Sequence, residues 1–131
     1  MRHPFQADEL IDLADGDAGK QVTLLTMPRG KRFVIECVGV NAFVQPGQRL
    51  FVAVHVTTGD AIGIYPIVPA GSSSIADPTF PARTFGSQQV RLYADPETNV
   101  DLSVARDDAT AGARIFVSLS GMLIDSRMGS S

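Results

Sequence analysis

Few residue types in this chain of 131 residues could carry chemistry. There are two histidines, His3 and His55, and one cysteine, Cys37. A nucleophile needs a base within hydrogen-bond reach and a third group to orient that base. His3 lies in an N-terminal stretch expected to fray. His55 sits in RLFVAVHVTTGD between Val54 and Val56, with no serine elbow nearby. The G-x-S-x-G pattern is absent, since Gly71-Ser72-Ser73-Ser74 lacks the second glycine. Cys37, inside the apolar run FVIECVGV, reads as a small buried hydrophobe rather than a reactive thiol. No triad is expected. Positions 3, 37 and 55 match no zinc-ligand spacing. Calcium would draw on Asp15-Gly16-Asp17 or Asp107-Asp108, but neither extends to a D-x-D-x-D-G pattern, and both read as solvated turn formers. Glycoside hydrolysis would need two carboxylates facing each other across a cleft, and Glu36 and Asp101 are the outward strand positions available for it. Phosphate-cradling glycine loops are absent. The expectation is therefore no metal and no cofactor.

Composition narrows the partners. Hydrophobic residues make up 44% and charged ones 19%, enough for one domain with its own core. The net charge is −3, and the eleven Lys and Arg are scattered, which argues against nucleic acid or an anionic membrane surface. With a single cysteine there is no intrachain disulfide. No run approaches the ~18 apolar residues of a membrane span, so no membrane insertion is expected. The start, MRHPFQADEL, has no apolar signal core, and the closing RMGSS is set aside as a disordered tail or cloning remnant over 126–131.

What positions any functional group here is a set of strands. Leu50, Val52, Val54 and Val56 alternate with Phe51, Ala53 and His55. Val100, Leu102 and Val104 alternate with Asp101, Ser103 and Ala105, and Ile115, Val117 and Leu119 with Phe116, Ser118 and Ser120. VRLYA and KRFVIECV follow the same period, with Phe33, Ile35 and Cys37 expected to face inward. QVTLLTM and AIGIYPIV are less regular but rich in β-formers, and Pro66 directs the latter to a sheet edge. Turn chemistry separates the runs at Pro28-Arg29-Gly30, Pro46-Gly47, Thr58-Gly59-Asp60, Asp95-Pro96-Glu97 and Asp107–Gly112. A bulge is expected near Gly39 and Asn41. Only ADELIDLA, residues 7–14, suggests a turn of helix.

The fold implied is all-β: an antiparallel two-sheet sandwich of jelly-roll type with seven or eight strands. Residues 1–19 read as a partly ordered N-terminal extension and 20–125 as the sandwich. Within it, 66–88 reads as a long loop that could hide a strand. That loop carries Phe80 and Phe85 flanking Arg83, rings that must pack on the domain or on a partner.

Arg49, Phe51, His55, Arg91, Tyr93, Asp101, Arg114 and Phe116 all fall opposite the aliphatic set. Large apolar groups there would leave an exposed patch unless something covers them. With no helices, the cover is expected to be the long loop or another subunit. The leading expectation is a non-catalytic binding or assembly module that self-associates through Phe51, Phe116, Arg49 and Arg91, a trimer being a form many jelly-roll domains take. His55 would then lie at the edge of the covered zone, where the cost of protonation makes association pH-dependent. One alternative is a carbohydrate-binding module, with Tyr93, Phe80 or Phe85 as stacking platform and Arg83, Asp77 or His55 as polar contacts. A second is a small carboxylate-dependent hydrolase. The partners considered are thus a second copy, a glycan or another protein.

PRGKRFVIECV, QPGQRL and VRLYADPETNVDLSVAR, ending in SLSGMLID, resemble small bacterial β-sandwich proteins of unassigned function. In those a PAGKRLVIE run, a PAGQ turn and a VRLYADPGT run recur. Arg29 stands here in place of the alanine of the first turn, and Glu97 in place of a glycine. The likeness covers most of 22–125. It implies a fold and no catalytic residue; many of those relatives are exported, which would imply secretion or a periplasmic location after signal removal.

Overall fold

Period-2 aliphatic faces can be buried only by stacking one sheet on another. The computed structural model, which describes residues 2–45, 48–67, 71–74 and 82–125, shows that outcome. Its strands are β1 (Arg2–Leu13), β2 (Gly19–Thr26), β3 (Lys31–Val44), β4 (Leu50–Thr58), β5 (Ala61–Ile67), β6 (Gly71–Ser74), β7 (Ala82–Ala94), β8 (Asn99–Arg106) and β9 (Ala113–Asp125). One sheet has the order β1-β9-β3-β7-β6, the other β2-β8-β4-β5, and every pairing is antiparallel. The pairs β1–β9, β2–β8, β3–β7 and β4–β5 are nested, like one long hairpin whose tip is the Gly59 turn. β9 then pairs with β3 and β8 with β4. That is a jelly roll, with β6 added at the rim of the first sheet. No helix is long and apolar enough to cross a membrane among the described residues.

The core follows the alternation. Val52, Val54 and Val56 of β4 and Leu102 of β8 are fully buried, as are Phe33, Ile35 and Val38 of β3 and Ile115 and Leu119 of β9. Phe5 meets Phe33 edge-on, with ring centroids 5.1 Å apart. Each such side chain contributes ~1.5–3 kcal/mol by leaving water.

Three expectations are corrected. Residues 7–14 are not helical, and residues 2–13 are not an extension outside the sandwich: Arg2–Leu13 pairs along its whole length with β9. Ile11 and Leu13 point inward while Leu10 and Asp12 point outward, so a period of two overrides the local helical reading. His3 accordingly lies within β1, opposite Leu123. Next, the described residues of 66–88 are strand, divided among the end of β5, β6 and the first half of β7. Finally, the bulge falls between Ile35 and Cys37, before Gly39. The extra residue, Glu36, reverses the strand's facing, so Cys37 leaves the core register and is only half-buried. Opposite the bulge stands Gly121, where an added Cβ would lie 1.9 Å from the Val34 carbonyl oxygen.

Two polar clasps close the ends of the sandwich. At one end Asp95, 2% exposed, accepts from Arg32 Nε at 2.9 Å and from the Gly59 amide at 2.6 Å. It thereby ties β7 and β3 of one sheet to the β4–β5 turn of the other. Gly59 takes φ 62° in that turn, and Glu97 takes the same φ in the turn after Asp95. Nearby, Lys31 pairs with Asp125 and holds its carboxyl down at about 2. At the opposite end the buried Arg106 donates to the carbonyls of Asp17 (2.8 Å), Ala14 (2.9 Å) and Ala109 (3.2 Å).

Two outcomes test these constraints. Gly121→Ala is expected to cost ~2–3 kcal/mol in urea unfolding, because rigid backbone blocks the new methyl; a loss under about 0.5 kcal/mol, the size of an ordinary surface change, would contradict the close approach. Asp95→Ala is expected to cost ~3 kcal/mol, because Arg32 loses its carboxylate and Gly59 its acceptor. An unfolding midpoint unchanged by that substitution would remove the clasp from the account.

Candidate functional site

The sandwich has two outer faces, and the residues singled out from sequence are divided between them. Phe51, His55 and Asp101 lie outside the four-stranded sheet; Phe116, Arg114, Arg83, Phe85, Arg91 and Tyr93 lie outside the five-stranded one. The expected single interface containing both Phe51 and Phe116 is therefore corrected: the two rings are on opposite sides of the molecule, because their strands belong to different sheets. Arg49, just before β4, is exposed and donates its backbone amide to Asp107 Oδ1 at 2.8 Å. Arg91 is exposed on β7. Asp77 and Phe80 lie outside the described residues.

On the four-stranded sheet, His55 stands directly across from Asp101, and its Nε2 is 2.8 Å from Ser103 Oγ. Sequence reasoning missed Ser103, since only the β4–β8 register brings it to His55. Ser, His and Asp side chains are thus neighbours, but their arrangement lacks the features of an acyl-transfer site. Asp101 Oδ1 accepts from Thr23 Oγ1 at 2.7 Å. The serine lies mid-strand, where neighbouring backbone amides serve the sheet ladder, leaving no converging donors for an oxyanion. Glu36 belongs to the other sheet, so it and Asp101 cannot flank one glycosidic bond.

The aspartates weighed for calcium are committed to turns. Asp17 Oδ2 accepts from the Ala14 amide at 3.0 Å, Asp15 Oδ1 from Ala111 at 2.8 Å, and Asp108 Oδ1 from Thr110 at 2.9 Å. The Thr110 hydrogen bonds hold the Asp108 carboxyl below its ordinary range. The guanidinium of Arg106 occupies the space between these turns. Among the described residues no three His, Cys, Asp or Glu side chains cluster as a metal site.

Beyond His55 the same sheet turns apolar. Ile64 lies opposite His55 and Ile62 opposite Thr57, one strand further out on β5. Phe51 is 59% exposed, Ile62 70% and Ile64 61%. Ala53 and Pro66 fill the register between them. The alternation of Ile62, Ile64 and Pro66 against Gly63, Tyr65 and Ile67 was the signal for this face. Two glycine and proline breaks hid it.

On the five-stranded sheet, outward residues fall into rows across the strands. Leu10, Phe116, Asn41 and Phe85 form one row, taken from β1, β9, β3 and β7. It is braced: Phe43 meets Phe116 edge-on at 6.0 Å, Arg83 Nε donates to Asn41 Oδ1 at 2.6 Å, and the Arg83 guanidinium lies 4.9 Å over the Phe85 ring. The next row is Asp8, Ser118, Gly39 and Ser87, all small or short. Between them opens a shallow depression of about 400 Å³ lined by Asp8, Leu10, Gly39, Asn41, Phe116 and Ser118, among others. The structure thus brings together Arg83 and Phe85 of the expected sugar site. Tyr93 stands eight residues further along β7, roughly 26 Å from Phe85 at strand rise, and His55 is on the opposite sheet.

No family model matches the chain, and no curated protein does. Two solved structures are similar to it at low identity. One is described as Family 16 Carbohydrate Binding Module-2: 15% identical, TM-score 0.32, with 87% of this chain covering 74% of that one. The other is the structure of infectious bursal disease virus Gt strain: 10% identical, TM-score 0.38, with 98% of this chain spanning 42% of the viral chain.

Proposed function

We propose that the protein is a non-catalytic β-sandwich module that self-associates through β5 and the face it shares with β4. The observation that carries this reading is that β5 is a sheet edge that no other described strand covers. An edge strand presents unpaired backbone groups, and folded proteins blunt that hazard with charge, proline, short strands or cover; on β5 the one such device is Pro66, near its end. β1, one edge of the five-stranded sheet, carries Arg2, Asp8, Glu9 and Asp12, and β6, its other edge, is only 4 residues long; β2, an edge of the other sheet, carries Lys20. β7 is covered by β6. β5 reads AIGIYPI, with no charged residue, and it exposes Ile62, Ile64 and Tyr65.

A second copy of the chain suits this edge better than a charged partner, which would find nothing to pair with. Two antiparallel β5 strands related by a two-fold axis would satisfy both edges and bury the same isoleucines twice. Phe51 would lie at the rim, with His55 beside Ile64. The smallest closed assembly of this kind is a dimer.

A second reading, sugar binding, is supported by one observation on the opposite sheet: the braced rings Phe85 and Phe116 stand in a row beside small polar residues.

Sedimentation at about 100 µM is expected to give a multiple of the protomer mass. Ile62→Lys with Ile64→Lys is expected to give a monomer with an unchanged circular dichroism spectrum, since substitutions at such exposed sites change stability by only ~0.5 kcal/mol. A monomeric parent chain, or an oligomer indifferent to the double substitution, would refute this interface. For the non-catalytic reading, ester hydrolysis by the chain is expected not to exceed that by free imidazole. A rate enhancement lost in both His55→Ala and Ser103→Ala would overturn it.

A further inference from the structure

We infer that the depression on the five-stranded sheet is a binding groove for a neutral oligosaccharide lying across the strands. This deepens the second reading above by naming the ligand's charge, its direction and its contacts.

The groove runs along the row Asp8, Ser118 and Gly39 and reaches β7 at Gly86, so it crosses four strands and extends roughly 14 Å at the usual inter-strand spacing. One wall is Leu10 and Phe116, and Phe85 continues their row on β7. Apolar C–H faces of pyranose rings pack on such a wall, and aromatic rings bury large area at low entropy cost. The braces from Phe43 and Arg83 hold this wall in place before any ligand arrives.

The floor and rim supply what hydroxyl groups need. Asp8, which also accepts from Gln6 Nε2 at 3.2 Å, has further lone pairs to accept with, and the Ser118 hydroxyl donates and accepts. Asn41 is oriented by Arg83, which takes its Oδ1 and leaves Nδ2 as the donor toward ligand. Gly39, with no side chain, keeps the floor low; a Cβ there would meet Ser118 Oγ at 3.2 Å.

Charge and backbone geometry exclude competing ligands. Asp8 stands at the groove, whereas Arg83 is engaged by Asn41 and Phe85, and Arg114 pairs with Asp12 at 3.0 Å. Phosphate, sulfate or uronate groups would meet a carboxylate and, among the described residues that line the depression, no cation. An extended peptide draws its affinity from main-chain hydrogen bonds to a strand edge. Mid-sheet, β9 and β3 have neighbours on both sides and offer none.

The test is titration of the whole chain, followed by backbone amide NMR, with cellohexaose, xylohexaose, mannohexaose, N-acetylchitohexaose, hexagalacturonate and tetralysine. At least one neutral hexasaccharide is expected to bind, shifting the amides of Leu10, Gly39, Asn41, Phe116 and Ser118. Phe116→Ala is expected to weaken it at least tenfold. Asp8→Ala, at an exposed position that leaves the core intact, is expected to weaken it several-fold. The Ile62→Lys, Ile64→Lys variant should bind as the parent does, which separates this site from self-association. Tighter binding of hexagalacturonate or tetralysine, or shifts centred elsewhere on the chain, would overturn the groove while leaving ligand binding in place. Silence toward all four neutral sugars up to millimolar concentration would overturn both the groove and the sugar-binding reading.

Discussion

A two-layer sandwich gives each strand one interior face and no more. With no helix among the described residues to lie over either sheet, whatever stands on the outward register meets solvent, a ligand or another molecule. The inner faces are nearly uniform aliphatic, and their packing holds the strands in register. That register then decides which outward residues become neighbours. Ser118 meets Gly39 and Asp8 only because Val117 and Leu119 are locked in the core on either side of it. The outer surfaces are therefore consequences of core packing, and a one-residue slip would exchange them for the aliphatic set.

The two outer faces have different chemistry for a reason visible in their edges. On the five-stranded sheet charge is placed at the rim: β1 alternates Asp8 and Asp12 with Leu10, and β7 is shielded by β6. Such an edge resists pairing with another strand. On the four-stranded sheet β5 carries isoleucines to the very edge and no charge beyond Asp60 in the turn. Apolar surface and unpaired backbone coincide there, the combination that favours strand-to-strand association over ligand capture.

How much of this was legible beforehand can be argued element by element. β4, β8 and β9 alternate strictly, and their core faces were readable position by position. Pro66 correctly marked β5 as an edge, since a residue without an N–H is tolerated there. β1 was hidden because Leu10, Ile11 and Leu13 satisfy a helical spacing nearly as well as a strand's. What decided it is β9, which pairs with Arg2 at Ile124, almost the whole length of the chain away, and no local window contains that information. The bulge at Glu36 was misplaced because its cause is equally remote: Gly121 on β9 provides the room. For the candidate sites, alternation identified which residues face outward but could not assign them to a sheet. Phe51 and Phe116 share a parity and nothing else. Arg83 and Phe85 were named together as neighbours in a loop, and their spacing of two on β7 puts them on one face, whereas Ser103 and Asn41 needed cross-strand register.

The two surfaces also fit together mechanically. Ile62 and Ile64 are β-branched and stiff at χ1, and the rings of Phe116 and Phe85 are braced by Phe43 and Arg83. Neither surface must give up much freedom when it is covered. They also lie on opposite sheets, so pairing at β5 leaves the groove on β9 and β3 open in every copy. A shallow groove of this size makes few contacts with a single sugar chain, and its affinity alone would be modest. Two grooves held at fixed separation by a rigid strand pair convert the second binding event into an intramolecular one, gaining avidity without any new contact. Assembly on one face and capture on the other are thus compatible, and the first would strengthen the second.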